Sequence, residues 1–282
     1  PTVELGLAEN PLILALPPSA DITPEQVNAA RVIAAQFTER TGYVVVVVAP
    51  DSHTALVQAL EAGNAHIALL DPLSYALAYQ KDLVRAQYAT VRDEKFKYGA
   101  QFLAARRDGF KSYFDAESGE NTADASTALA QFADKKPCWS EETSPSGRLI
   151  PLGLLNQAQV QTRTAAFVGG QTTVVRSLYA GGICDFGATY IDARKFPSLE
   201  DAMPDLIEQV LVIWRTPEVI PYEVLVFSTN MPQPMRNLFF DLIPAIMQTD
   251  AGNAAFRTAY EIEEVQAVSD GDFNDFHTLM RE

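Results

Sequence analysis

The chain has 282 residues, 48% hydrophobic and 20% charged, which is enough to bury one large core or two ordinary lobes and too apolar for disorder. Its 21 basic and 36 acidic side chains give a formal charge of −15 and a sequence pI of about 4.6, so a nucleic-acid backbone or an anionic membrane surface is repelled at long range. No apolar run approaches the roughly 20 residues of a membrane-spanning helix, and two cysteines, Cys138 and Cys184, are too few for a disulfide scaffold and lack CxxC spacing, which leaves one bridge or two buried thiols.

In chain order, an apolar run over 12–16 leads into Pro17-Pro18-Ser19. Thr23-Pro24-Glu25-Gln26 then supplies a Thr cap, Pro at the first helical position and Gln three residues past the cap. A helix is expected to about Thr41, where Gly42 stops it. Residues 43–49 read as a strand buried on both faces. Ser52 starts a helix to Glu61, 65–70 is a strand, and Asp71-Pro72 opens another helix. This is βαβαβ with short loops, the pattern of a parallel sheet covered by helices.

A second round follows the polar stretch 117–126. Residues 137–140 read as a strand, Ser144-Pro145-Ser146-Gly147 as a turn into a helix near 148–155, and 165–168 as a strand. After Gly169-Gly170 come a helix from about Thr172 to Tyr179 and a strand over 183–188. Strands at 210–214 and 222–227 flank a segment holding Pro217 and Pro221, which suits a stiff connection between lobes. Ligands of open α/β sheets sit beyond the carboxyl ends of the strands. Those ends carry Pro18 and Ser19, Asp51 to His53, Asp71 to Tyr75, Ser144 to Gly147, Gly170 to Thr172, and Tyr190 to Asp192.

Four stretches, in this order and spacing, resemble the phosphate/phosphite/phosphonate group of solute-binding proteins that feed ABC transporters. They are GNAHIALLDPLSY from Gly63, Ser144-Pro145-Ser146-Gly147, SLYAGGICD from Ser177, and RTPEVIP from Arg215. The resemblance implies an α/β, two-lobed type II periplasmic-binding-protein fold, each lobe a mostly parallel sheet flanked by helices. Lobe 1 is then 1–98 plus 217–282, lobe 2 is 99–216, and the ligand cleft lies between them. It also implies ligand contacts at Ser144, Ser146 and the amides around Gly147. His53 stands where the family usually has a ligand-contacting Tyr, Gln171 and Thr172 stand where it has a His and an Asp, and Pro145 replaces the loop Thr. Tyr98 falls at or next to another pocket tyrosine. First and third strands of such a lobe are neighbours, which places Cys138 and Cys184 near the starts of adjacent strands, where a disulfide can form in an oxidising compartment.

The same residues have plainer readings. Ser144 is a helix cap by itself, His53 an exposed first-turn residue, and Tyr75 a packing aromatic. Arg148 is expected to pair with Glu141 or Glu142 rather than with a ligand. Tyr190 and Asp192 follow a strand, and the Asp192 carboxylate suits a ligand amine or an ion pair with Arg194. Pro145 has neither the hydroxyl nor the N–H of a Thr, which weakens an oxyanion pocket.

The three histidines, His53, His66 and His277, are dispersed, and there is no GxGxxG or GxxxxGK[ST], so no enzyme activity, cofactor or metal is expected. The reading is an extracytoplasmic solute-binding component of an ABC importer that takes a small oxyanion or phosphonate-like ligand. Its partners are that small molecule and a permease, it binds no nucleic acid, and it is monomeric. Residue 1 is Pro rather than Met, which reads as numbering that begins after a removed segment: a signal peptide, a lipid-anchored linker or an artificial boundary. The alternatives are the same receptor fold with another small polar metabolite, or a ligand-sensing domain or enzyme on that fold.

Overall fold

The computed structural model describes residues 4–19 and 21–281. From the start of the chain come β1 (Leu12–Ala15), α1 (Pro24–Thr41), β2 (Val45–Val48), α2 (His53–Glu61), β3 (Ile67–Leu70), α3 (Pro72–Gln80) and β4 (Val84–Thr90). The middle holds β5 (Lys97–Tyr98), β6 (Ala100–Ala105), α4 (Ala125–Leu129), β7 (Pro137–Trp139), α5 (Ile150–Gln157), β8 (Ala166–Phe167) and α6 (Gln171–Ala180). There follow β9 (Phe186–Tyr190), α7 (Pro197–Glu200), α8 (Leu206–Gln209), β10 (Val210–Arg215) and β11 (Ile220–Pro221). The end is β12 (Val224–Ser228), α9 (Gln233–Met247), α10 (Asp250–Tyr260), β13 (Val265–Ala267) and α11 (Asn274–Leu279).

These elements form two units: Pro1–Phe96 with Pro221–Asp272, and Lys97–Ile220 with Phe273–Glu282. The chain therefore passes between them three times, at 96/97, 220/221 and 272/273. The first two passages lie at β5 and β11, which pair as a two-stranded ribbon.

In the first unit the sheet order is β13-β4-β12-β3-β1-β2, with β2, β1 and β3 parallel and the other strands antiparallel. Helix α1 starts at a capping box in which Thr23 and Gln26 satisfy each other's backbone N–H, and Gly42 ends it in the left-handed conformation at φ 79°. Phe37 meets Phe239 of α9 with ring centroids 4.8 Å apart, and Leu12, Ile33, Ile243 and Phe256 close the core around them. One expectation fails here. The valine run is an edge strand rather than one buried on both faces, with Val46 38% exposed, because β2 has a neighbour on one side only.

The second unit's sheet runs β10-β6-β9-β7-β8. Strands β8, β7 and β9 are parallel in 2-1-3 order, and β6 and β10 are added antiparallel. Phe132 stacks on Phe186 at 4.0 Å, Trp139 meets Phe186 edge-on, and Phe102 packs beside Phe132. The C-terminal segment, expected in lobe 1, packs here instead. Phe273, Phe276 and Leu279 are buried, and Gly153 of α5 lies so close to α11 that a Cβ would stand 2.3 Å from the Leu279 carbonyl. An apolar spacing of three residues on a short helix was the sequence signal for this docking, and the expected boundary at Glu282 overlooked it.

Register pairs Pro137 with Phe186 and Cys138 with Gly187, and Cys138 is bonded to Cys184 with a Cα separation of 5.5 Å. The bridge closes a loop of sequence separation 46. In the chain-entropy account that is worth about 4 kcal/mol. Reduction, or the Cys138→Ala/Cys184→Ala pair, is expected to lower the second unit's denaturant midpoint with little change in the first.

His277 is buried, and burial together with the Arg281 charge pulls it from 6.5 down to about 4. The unfolded chain then binds this proton more readily than the folded one between those two values. Stability is full above about pH 6.5 and falls as pH drops toward 4, by up to about 3 kcal/mol. A His277→Gln variant should flatten that part of a pH–stability profile measured by chemical denaturation.

Candidate functional site

The second unit holds a polar cluster at the carboxyl end of β7. Ser140 leaves the strand, and its backbone N–H donates to Gly147 O at 3.3 Å while its carbonyl accepts from Gly169 N at 2.8 Å. Residues Pro145–Leu149 form a wide π-type turn that runs into α5, capped by Ser144, whose Oγ accepts from Gly147 N at 3.0 Å. First-turn amides have no partner inside their own helix, so the turn presents N–H groups and the positive end of the helix dipole.

Gln171, first residue of α6, bridges this turn to β9. Its Nε2 donates to Ser146 Oγ at 2.9 Å and to Ser144 Oγ at 3.3 Å, and its Oε1 accepts from Tyr190 N at 2.6 Å. Ser146 is 2% exposed. Arg148 is turned away from the cluster: it donates to the Glu142 carbonyl at 2.6 Å and lies over the Phe167 ring, so its partner is a backbone oxygen rather than either expected carboxylate. The cluster is a set of neutral donors at a helix start, which suits an anion without a lysine or arginine in contact.

Sequence reading missed Ser140. Its Oγ is buried with no hydrogen-bond partner among the described residues, and it lies 1.9 Å from where a Gly147 Cβ would stand, with Ser144 Oγ at 2.8 Å from the same point. Two serine hydroxyls thus crowd one glycine, and only glycine fits. The signal was weak, a serine at the end of a predicted strand four residues before the loop.

Asp192 is a different case. Its side chain is 5% exposed and bound by Arg194 at 2.6 and 3.0 Å and by Gln101 Nε2 at 2.6 Å, with Arg215 at 3.7 Å. Burial works to raise its pKa, but the Arg194 hydrogen bonds and charge, helped by Gln101, outweigh it and hold the carboxyl below the usual range. The carboxylate is an internal counter-ion to Arg194 rather than a free acceptor for a ligand amine. Tyr190 is half-buried at the end of β9, and burial and then the Asp192 charge push its hydroxyl up. Thr172 is half-buried in the first turn of α6, and Tyr98 is half-buried in β5.

In the first unit, His53 follows the Ser52 cap of α2, with Nδ1 2.6 Å from Asp71 Oδ2 and 3.3 Å from Ser74 Oγ. Its ring is 59% exposed. Asp71 in turn caps α3, accepting from Leu73 N and Ser74 N, and Ser74 Oγ also donates to it. Tyr75 has no exposed surface: its hydroxyl donates to Asp270 at 2.8 Å and its ring meets Tyr79, so it belongs to the packing of α3 and is no longer a contact candidate. Beyond the end of β1 lies a cavity of about 240 Å³ bordered by Pro17, Pro18, Gln26, Arg92, Glu223 and Tyr260. Arg92 and Glu223 are ion-paired at 2.7 Å, and neither was singled out from the sequence.

A family model described as "ABC transporter, phosphonate, periplasmic substrate-binding protein" matches residues 19–273. The chain belongs to this family. A curated member-like relative, the phosphate-import protein PhnD of Mycolicibacterium smegmatis, is 28% identical over 163 residues, 54% of this chain and 46% of that protein. The chain thus matches about half the length of that relative. Among solved structures, XAC2383 from Xanthomonas citri bound to ATP is similar over 95% of this chain and 96% of its own, with TM-score 0.69 and 14% identity. PhnD1 from Prochlorococcus marinus (MIT 9301) in complex with methylphosphonate is similar over 96% and 98%, with TM-score 0.57 and 15% identity. At these identities the likeness carries the two-lobed fold, and the family's ligands differ enough that the fold does not choose one.

Gly147→Ala is expected to push the turn off Ser140 and destabilise the second unit by about 1–3 kcal/mol, the usual cost of overpacking. Adding Ser140→Ala should recover part of that loss in thermal unfolding; no recovery would mean the close approach is relieved elsewhere.

Proposed function

We propose that the protein is the receptor of an ABC importer that works outside the cytoplasm, binds a small oxyanion of the phosphonate or phosphate class on the Ser144–Gly147 turn, and delivers it to a permease. The observation that carries this reading is the pair of Ser144 and Ser146 hydroxyls at a helix start, held in place by Gln171, in a chain of the phosphonate-binding family. The absence of a helix long and apolar enough to cross a membrane among the described residues agrees with a chain that meets its permease from the aqueous side. His53, held by Asp71, is the first unit's candidate for a further ligand contact.

A thermal-shift panel of phosphate, phosphite, methylphosphonate and neutral metabolites tests it. A ligand at about 100 times its dissociation constant stabilises by roughly 2.7 kcal/mol. Ser146→Ala should weaken the responding anion by roughly 1.5 to 3 kcal/mol, the range for a hydrogen bond to a charged group. A shift with a neutral metabolite and none with any anion would refute the oxyanion assignment and leave the receptor role standing. An unchanged affinity in Ser146→Ala would reduce the turn to a helix cap.

A further inference from the structure

Gln171 has no hydrogen left for a ligand. A backbone N–H can only donate, so the 2.6 Å contact with Tyr190 N fixes the carboxamide oxygen on the β9 side and the nitrogen on the turn side. Both Nε2 hydrogens are then committed, one to Ser146 Oγ and one to Ser144 Oγ. Gly147 N fills the second lone pair of Ser144 Oγ. A hydroxyl whose lone pairs are both taken has only its hydrogen to offer. Ser146 keeps its hydrogen and one lone pair. The carboxylate that could have accepted a proton nearby, Asp192, is already bound by Arg194 and Gln101.

We infer that Gln171 is a specificity-determining positioning residue: together with Gly147 N it leaves the Ser144 hydroxyl only its hydrogen to give, so that the oxygen seated on Ser144 carries no proton, on sulfur as well as on phosphorus, whereas Ser146 keeps one acceptor site. The inference rests on the oxyanion reading above and narrows its ligand class to oxyanions that present unprotonated oxygens, alkylsulfonates included. A P–OH or an alcohol aimed at Ser144 meets no acceptor and keeps an unmade hydrogen bond.

Calorimetric titration of the full chain with methylphosphonate and methanesulfonate tests this. In the wild type, methanesulfonate at 100-fold excess should displace methylphosphonate. In Gln171→Glu one carboxylate oxygen still takes the Tyr190 N–H while the other accepts from the serines and draws their hydrogens off the ligand. Methylphosphonate affinity should fall at least about 100-fold at pH 8, against about 10-fold in the uncharged Gln171→Met, the span expected for one or more hydrogen bonds to a charged group. A protonated Glu offers an O–H again, so the wild-type to Gln171→Glu ratio should shrink from pH 8 to pH 5 while the Gln171→Met ratio stays flat.

The ionisable residues on the packed elements are Glu141, Glu142 and Arg148 beside the turn, Arg176 on α6, and Tyr190, Asp192 and Arg194 at and after β9. They are common to both variants, so comparing the two isolates position 171. Equal losses with equal pH profiles would make Gln171 a structural brace and overturn its role. Failure of methanesulfonate to compete overturns the ligand class, and that arm needs no variant to fold. If methylphosphonate and phosphate do not bind the wild type at all, the oxyanion reading falls and takes this inference with it.

Discussion

The hydrogen bond from Tyr190 N to Gln171 Oε1 governs the polarity of the whole cluster, because a main-chain N–H inside a sheet cannot turn round. The 2-1-3 order of β8, β7 and β9 brings the end of β9 beside the turn that follows β7, and α6 begins where its first side chain can span the two. Topology thus orients one carboxamide, and the carboxamide donates to two serines on the turn. The carboxamide and Ser144 have a single donor-to-acceptor assignment, while Ser146 keeps one lone pair open.

Charge tells a second story. A chain of net charge −15 repels anions at long range, yet the cluster proposed to take one is assembled from hydroxyls and amides, with Arg148 turned away and Arg194 paired to Asp192. The two effects act over different distances. Mobile ions at physiological strength damp the long-range field within about 8 Å, whereas dipoles aimed at a partly dehydrated oxygen act at about 3 Å and escape that damping. Arg194 does not supply a cation to the cluster, because it is neutralised internally by Asp192, as one of the two sequence readings of that carboxylate expected.

Much of the architecture was legible because punctuation and periodicity agreed. The Thr23 capping box, the Ser52 and Asp71 caps and the glycine stops fall where the elements begin and end. Burial of a strand was not legible from its composition: five valines read the same in an edge strand as in a central one, and only the pairing order decides. The turn after β7 could be found from Ser144-Pro145-Ser146-Gly147, but its chemistry could not. Whether Gln171 touches a ligand or supports those that do depends on Tyr190, 19 positions away, and on which end of an amide faces it. Asp192 pairs with Arg194, one of the two readings its sequence allowed, whereas the Asp270 partner that claims Tyr75 lies 195 residues away and strand position alone does not reveal it.

The Cys138–Cys184 bridge ties the middle of β7, two residues before Ser140, to the segment that leads into β9, so it pins together the two strands whose far ends carry the serine turn and Tyr190. Its contribution of about 4 kcal/mol approaches the lower limit of a whole domain's stability margin. With both thiols reduced, the half that holds the turn therefore keeps a much thinner margin against unfolding. Formation of the bond acts as a latch, and in an oxidising environment that half of the chain gains its rigidity only once the latch closes.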